Sequence, residues 1–93
     1  MTSFRFAVNV LPKAGILDPQ GRAVEGSLGH LGIEGVSEVR VGRRIELTVE
    51  AVDDRAARAT VERLASELLS NPLIEAYDIE ALEGASSLVG TRG

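Results

Sequence analysis

No cysteine occurs among the 93 residues, which removes a disulfide framework, a thiolate metal site and a cysteine nucleophile together. A single histidine, His30, leaves no histidine-rich metal site and little scope for a Ser-His-Asp arrangement. Tryptophan is absent too, and Phe4, Phe6 and Tyr77 are the only aromatic residues, so a core must be built from Val, Leu, Ile and Ala. Positive charge is in deficit. Ten Lys and Arg against 14 Asp and Glu give a net charge of -4, which argues against sequence-blind binding to nucleic acid. No apolar run approaches the ~20 residues that span a bilayer. Met1 to Phe6 lack the charged-then-apolar order of a signal peptide. The expectation is a cytoplasmic protein with neither nucleic-acid nor membrane partners.

What remains is 44% hydrophobic and 26% charged, the balance of a folded globular chain. Its length allows one domain, expected over residues 1–83, followed by a loose Gly, Ser and Ala tail at 84–93. A chain this short buries only about 60–65% of its unfolded surface, so self-association would help to stabilise it.

Phe4 to Leu11 alternate as a strand, with Phe4, Phe6, Val8 and Val10 on one side. Asp18 and Pro19 open a helix as N-cap and first helical residue; Val24, Leu28 and Leu31 are spaced to face a core, and Gly32 stops it. Val36 to Val41 and Ile45 to Glu50 alternate as two further strands. Parity favours a hairpin with a three-residue loop, Gly42-Arg43-Arg44, setting Arg40 opposite Glu46 on the outer face. Asp53-Asp54 cap a second helix whose core positions read Ala57, Val61, Leu64 and Leu68; Asn71-Pro72 ends it, and a last strand places Tyr77, Ile79 and Ala81 inward. The order β-α-β-β-α-β predicts an α+β, ferredoxin-like split βαββαβ sandwich. Four antiparallel strands would carry two helices on one face, and the free Val36–Val41 edge would pair with another copy as a homo-oligomer.

Few residues suggest chemistry. His30 suits a helix C-terminus, and Asp53-Asp54 are accounted for by capping. Gly15 to Gly21 lack the Lys-Ser ending of a phosphate loop. Arg43 and Arg44 read either as solvated charge guarding a strand edge or as a docking point for an acidic partner. The open sheet face, with Arg5, Asn9, Glu46, Asp78 and Glu80, is too polar for a second sheet and lacks stacking aromatics. No catalytic, cofactor-binding or metal-binding set emerges, which points to a binding or assembly module.

Three stretches together resemble the PurS family, the small subunits of phosphoribosylformylglycinamidine synthase. They are Gly15-Ile16-Leu17-Asp18-Pro19-Gln20-Gly21-Arg22-Ala23-Val24, Val39-Arg40-Val41-Gly42-Arg43 with Ile45-Glu46-Leu47, and Asn71-Pro72-Leu73-Ile74-Glu75 with Tyr77. Arg43 stands where the family commonly has lysine, and Ile33 where an aromatic is common. The resemblance implies a subunit of a glutamine-dependent ligase of purine biosynthesis with no catalytic site of its own. It implies a dimer or tetramer that bridges a glutaminase and a large synthetase and assists ammonia transfer, with ATP and Mg used by the large subunit. Contact candidates are Asp18, Pro19, Gln20 and Gly21; Arg40, Gly42, Arg43 and Arg44; and Asn71, Pro72, Ile74 and Glu75. The rival expectation is an ACT-like dimeric module binding a small molecule, for which Gly15 and Gly21 could form the ligand loop.

Overall fold

A computed structural model describes residues 1–82; the tail expected at 84–93 lies outside the described residues. The elements run β1 (Thr2–Pro12), α1 (Pro19–Leu28) with a 3₁₀ turn Gly29–Leu31, β2 (Arg43–Ala51), α2 (Asp54–Leu64) continuing into a π turn Ala65–Leu69, and β3 (Glu75–Leu82). Among the described residues the sheet has three strands in the order β2-β1-β3, both pairs antiparallel. The expected α+β class holds.

Alternation in β1 sorts its side chains as anticipated. Phe6, Val8 and Val10 are fully buried on one face with Val49 and Ala51 of β2, beneath Ala57, Val61 and Ala65 of the second helix. Arg58 lies over the Phe6 ring at 5.6 Å and closes that side of the core. On the opposite face Ala7 is also 0% exposed. Its cross-strand neighbours are Glu46 and Glu80, and Arg44 bridges them at 3.0 and 2.9 Å, so an ion-pair lattice roofs a methyl group.

The expected Val36–Val41 strand and its hairpin are not formed. Arg43 and Arg44 are the first two residues of β2, opposite Val10 and Asn9, not loop residues. Gly35 (φ 86°) and Glu38 (φ 58°) take left-handed conformations that break the extended run, and the backbone N–H groups of Val39 and Val41 are accepted by side-chain carboxylates of Glu25 and Asp18. The hairpin also lacked a glycine at position 44, where its loop needed one. Arg40 therefore leaves the outer face, and Glu46 pairs with Arg44 and Arg5 instead.

Helix α1 begins as read, with Asp18 as N-cap and Pro19 first, and its terminal turn closes on Gly32 in the left-handed region (φ 72°). Its apolar face does not meet the sheet, however. Val24 is 42% and Leu31 70% exposed, and the helix's substantial neighbour is the turn it runs into. In α2 the capping role of Asp53 holds, its carboxylate accepting the Ala56 N–H at 2.8 Å. Leu68, expected in the core, is 73% exposed. Ala65 keeps the four-residue spacing of Ala57 and Val61 and is buried, with Leu64 half-buried beside it; the π turn that follows adds a residue to the last turn, so Leu69 packs on the core in place of Leu68.

Truncating Val61 to Ala is expected to cost roughly 2–3 kcal/mol, whereas Leu68→Ala stays within about 0.5 kcal/mol. Urea unfolding midpoints check this; equal losses at both positions would contradict the phase shift.

Candidate functional site

Three sequence segments that lie far apart in the chain meet at one end of the sheet. The first is the start of α1. Asp18 has a short side chain whose carboxylate reaches the free N–H groups of a first helical turn. One oxygen accepts Gly21 N–H at 3.0 Å and the other accepts Val41 N–H at 2.9 Å, so one carboxylate both caps the helix and holds the second segment. These backbone donors hold the Asp18 carboxyl below the usual carboxylate range. Two turns after Asp18, Glu25 accepts Val39 N–H at 2.8 Å. A Cβ at Gly21 would overlap the Val39 carbonyl oxygen, so glycine is what permits this approach.

The second segment, Val39 to Arg44, crosses the end of β1. The Arg40 guanidinium donates to the Pro12 carbonyl. A Cβ at Gly42 would overlap the Val10 carbonyl oxygen, which pins the chain one residue before β2 begins. Arg43 opens β2 on the helix-covered face. It donates two hydrogen bonds to the Glu75 carboxylate, each 3.0 Å, and a third to the Leu69 carbonyl at 2.8 Å. The fork geometry of a guanidinium suits this double contact, and the third bond occupies a carbonyl at the end of the second helix that has no helical partner.

The third segment is the turn from Asn71 to Glu75. Asn71 C=O accepts Ile74 N–H (3.0 Å) and Glu75 N–H (2.8 Å), while Glu75 accepts Asn71 N–H at 2.7 Å and Ile74 C=O accepts Lys13 N–H at 2.9 Å. Arg43 foremost, with the Asn71 N–H, lowers the Glu75 carboxyl below its usual range.

Between the three segments lies an open cleft of about 450 Å³ lined by Pro12, Ile16, Leu17, Asp18, Pro19, Gln20, Val41, Arg43, Ile74 and Glu75. Six of the twelve expected contact residues thus share one cleft: Asp18, Pro19, Gln20, Arg43, Ile74 and Glu75. Gly21, Gly42 and Asn71 shape its walls without lining it. Arg40 turns into an adjoining cleft of about 390 Å³ with Lys13 and Arg22. Arg44 stands apart on the open sheet face, bonded to Glu46, Glu80 and Asn9, and Pro72 is exposed outside the cleft. Sequence reasoning passed over Glu25; an acid one helical turn below Gly21 was its only signal. Among the described residues no three His, Asp or Glu side chains gather as a metal site. Nothing in the cleft pairs a nucleophile with a base. Its make-up of apolar walls flanked by charges suits recognition of a protein surface.

The profile of the PurS family, described as phosphoribosylformylglycinamidine (FGAM) synthase, matches residues 5–83. The chain is 44% identical over 85 residues to the phosphoribosylformylglycinamidine synthase subunit PurS of Synechocystis, covering 89% of this chain and 85% of that protein. It is likewise 44% identical over 75 residues to PurS of Mycobacterium leprae, covering 81% and 91%. Among solved structures it is similar to a chain of PurLQS from Thermotoga maritima (34% identity, TM-score 0.80, covering 88% of this chain and 100% of that one). Bacillus subtilis PurS gives 38% identity and a TM-score of 0.76 over 86% and 99%.

Asp18 and Glu75 both have pKa values lowered by folding, so the native protein binds fewer protons than the unfolded chain in the acid range. The stability they contribute is fully present above about pH 5 and lost as pH falls through the carboxylate range. The urea midpoint is expected to fall between pH 6 and pH 3, less steeply in Glu75→Gln. A midpoint that rises on acidification, or an unchanged slope in the variant, would contradict the bonding described.

Proposed function

The chain belongs to the PurS family of phosphoribosylformylglycinamidine synthase subunits, and from that premise we propose that it bridges the glutaminase and the ATP-dependent synthetase of this enzyme in purine biosynthesis. The observation that carries the reading is the match to a chain of the Thermotoga maritima PurLQS assembly along that chain's full length. The cleft at the end of the sheet supports it, because it offers a recognition surface with no reactive groups of its own. The complex works in the cytoplasm, and ATP and Mg belong to the large subunit. This chain adds position: two partners held in register deliver ammonia to its acceptor before water intervenes.

The contact residues are Asp18 to Gly21, Gly42, Arg43, Asn71, Ile74 and Glu75, which line or frame the cleft, with Arg40 acting from the adjoining cleft, Pro72 from the exposed turn beside it and Arg44 from the open sheet face. The domain is the stretch 1–83, in keeping with the family match over residues 5–83. The protein assembles as a dimer or tetramer in which, of the edge expected at Val36–Val41, the Val39–Val41 stretch beyond the kink at Glu38 supplies the fourth strand across copies. Two features favour that strand. Val39 and Val41 have their N–H groups occupied on one side by Glu25 and Asp18, and strand geometry turns the Arg40 backbone to the other side, where a neighbour can pair with it. The sheet, with β1 central, also ends in the unpaired outer edges of β2 and β3. An ACT-like sensor is not favoured, since the relatives matched along the chain are PurS subunits.

Reconstituted turnover tests the reading. Omitting this protein is expected to abolish glutamine-driven amidine formation while leaving ammonia-driven formation by the synthetase largely intact. Arg43→Ala is expected to reduce glutamine-driven turnover several-fold. Unchanged glutamine-driven turnover on omission would overturn the bridging role.

A further inference from the structure

The cations of this chain fall into two groups. Arg5, Arg43, Arg44 and Arg63 are held in ion pairs with Glu46, Glu75, Glu80 and Glu67. Lys13, Arg22 and Arg40 enter none among the described residues, and all three line the cleft of about 390 Å³ that adjoins the main one. Two carboxylates share that cleft, Asp18 and Glu38, so three positive charges meet two negative ones. Asp18 is already committed, its oxygens accepting from Gly21 and Val41 N–H. A chain of net charge -4 thus keeps a local excess of positive charge.

Three separate segments set these cations in place. Lys13 N–H donates to the Ile74 carbonyl at 2.9 Å, and the Lys13 carbonyl accepts Ile16 N–H at 3.1 Å, so the backbone that carries the ammonium is tied on both sides. Arg22 stands in the first turns of α1, its N–H donating to the Asp18 carbonyl at 2.9 Å. The Arg40 guanidinium donates to the Pro12 carbonyl at the cleft wall. Helical geometry puts Arg22 about 200° around α1 from Val24, away from the apolar side of that helix. Pro12, Ile16 and Leu17 give the cleft its apolar lining and also line the main cleft, so the two hollows adjoin along a shared apolar wall with the cations at one end.

We propose that this cationic end takes an acidic segment of another subunit of the synthase, its carboxylates set against Lys13, Arg22 and Arg40. The inference rests on the bridging reading above and names the chemistry of the contact. Charge complementarity selects the occupant. A free anion gains little from exposed cations in an open cleft, where water and salt screen each pair. A chain segment presents several carboxylates at once and adds apolar contact along Ile16 and Leu17. A two-fold contact between copies would bring the positive excess against itself, which an unlike chain avoids. Nucleic acid is opposed by the net negative charge of the whole protein.

Reconstituted glutamine-driven turnover, titrated with this protein, gives the concentration that half-saturates the enzyme. Lys13→Glu/Arg22→Glu reverses side chains that enter no ion pair among the described residues, and its circular dichroism and sedimentation mass are expected to match the wild type. Its half-saturating concentration is expected to rise at least about tenfold, with turnover at saturation unchanged. Arg55→Glu/Arg63→Glu adds the same negative charge on the second helix and is expected to stay within about threefold, which separates a local contact from a change in net charge. The charge-keeping Lys13→Arg/Arg22→Lys is expected to stay within about twofold. Lys13→Gln/Arg22→Gln, a milder change read in the same way if the reversal unfolds the chain, is expected to cost about threefold. An unmoved half-saturation in the reversed and neutral variants, with turnover still dependent on this protein, would overturn the acidic contact and leave bridging standing. Turnover indifferent to this protein would overturn both. A sedimentation mass lowered by the reversal would make the occupant a second copy, and saturable binding of inorganic phosphate by the wild type alone would make it a small anion; either result overturns the proposal.

Discussion

The guanidinium of Arg43 joins three parts of the molecule through the hydrogen bonds of one side chain. It begins β2, grips the first residue of β3 across the end of β1, and closes the last carbonyl of the second helix. Its side chain is half-exposed, and exposed ion pairs contribute at most about 1 kcal/mol, so its importance is positional rather than energetic. With Arg43 in place, the turn at Asn71–Glu75 and the start of α1 are held on either side of one cleft. An ammonium group in its place could not fork onto Glu75 while donating in a fixed plane to Leu69.

Carboxylates replace a strand at the neighbouring edge. Asp18 and Glu25 accept from alternate backbone N–H groups of an extended segment, as carbonyls of a paired strand would. The result is a stiff lobe attached to a small sheet, a shape built to contact other molecules. Membership of the PurS family makes the chain a subunit of phosphoribosylformylglycinamidine synthase, an enzyme built from more than one kind of chain.

Much of the fold was legible because it is local. Period-two alternation gave Phe6, Val8 and Val10 as the core of β1, and the Asp18-Pro19 and Asp53-Asp54 starts followed from short side chains able to reach free N–H groups. Two of the failures share a cause, contacts distant in sequence, and the third is local. Val39 and Val41 alternate like a strand, but Glu25 and Asp18 claim their N–H groups. Val24 and Leu31 are spaced for burial, yet the lobe carries them off the sheet. Leu68 keeps helical spacing with Val61, and a π turn that spacing cannot reveal moves Leu69 into its place. The site was half legible: the three motifs were visible as strings, while their meeting at one cleft needed the register of β1 with both neighbours.

The roof over Ala7 bears on a hazard inherent in any sheet with free edges. Amyloid growth needs edge addition and also dry lamination, one sheet face interdigitating with the next. On this protein's outer face lamination would have to strip water from Arg44, Glu46 and Glu80 and break their bonds, with only an alanine methyl group beneath to offer in return. Strands can therefore be added sideways to this sheet, while stacking into fibrils is opposed by its own electrostatics.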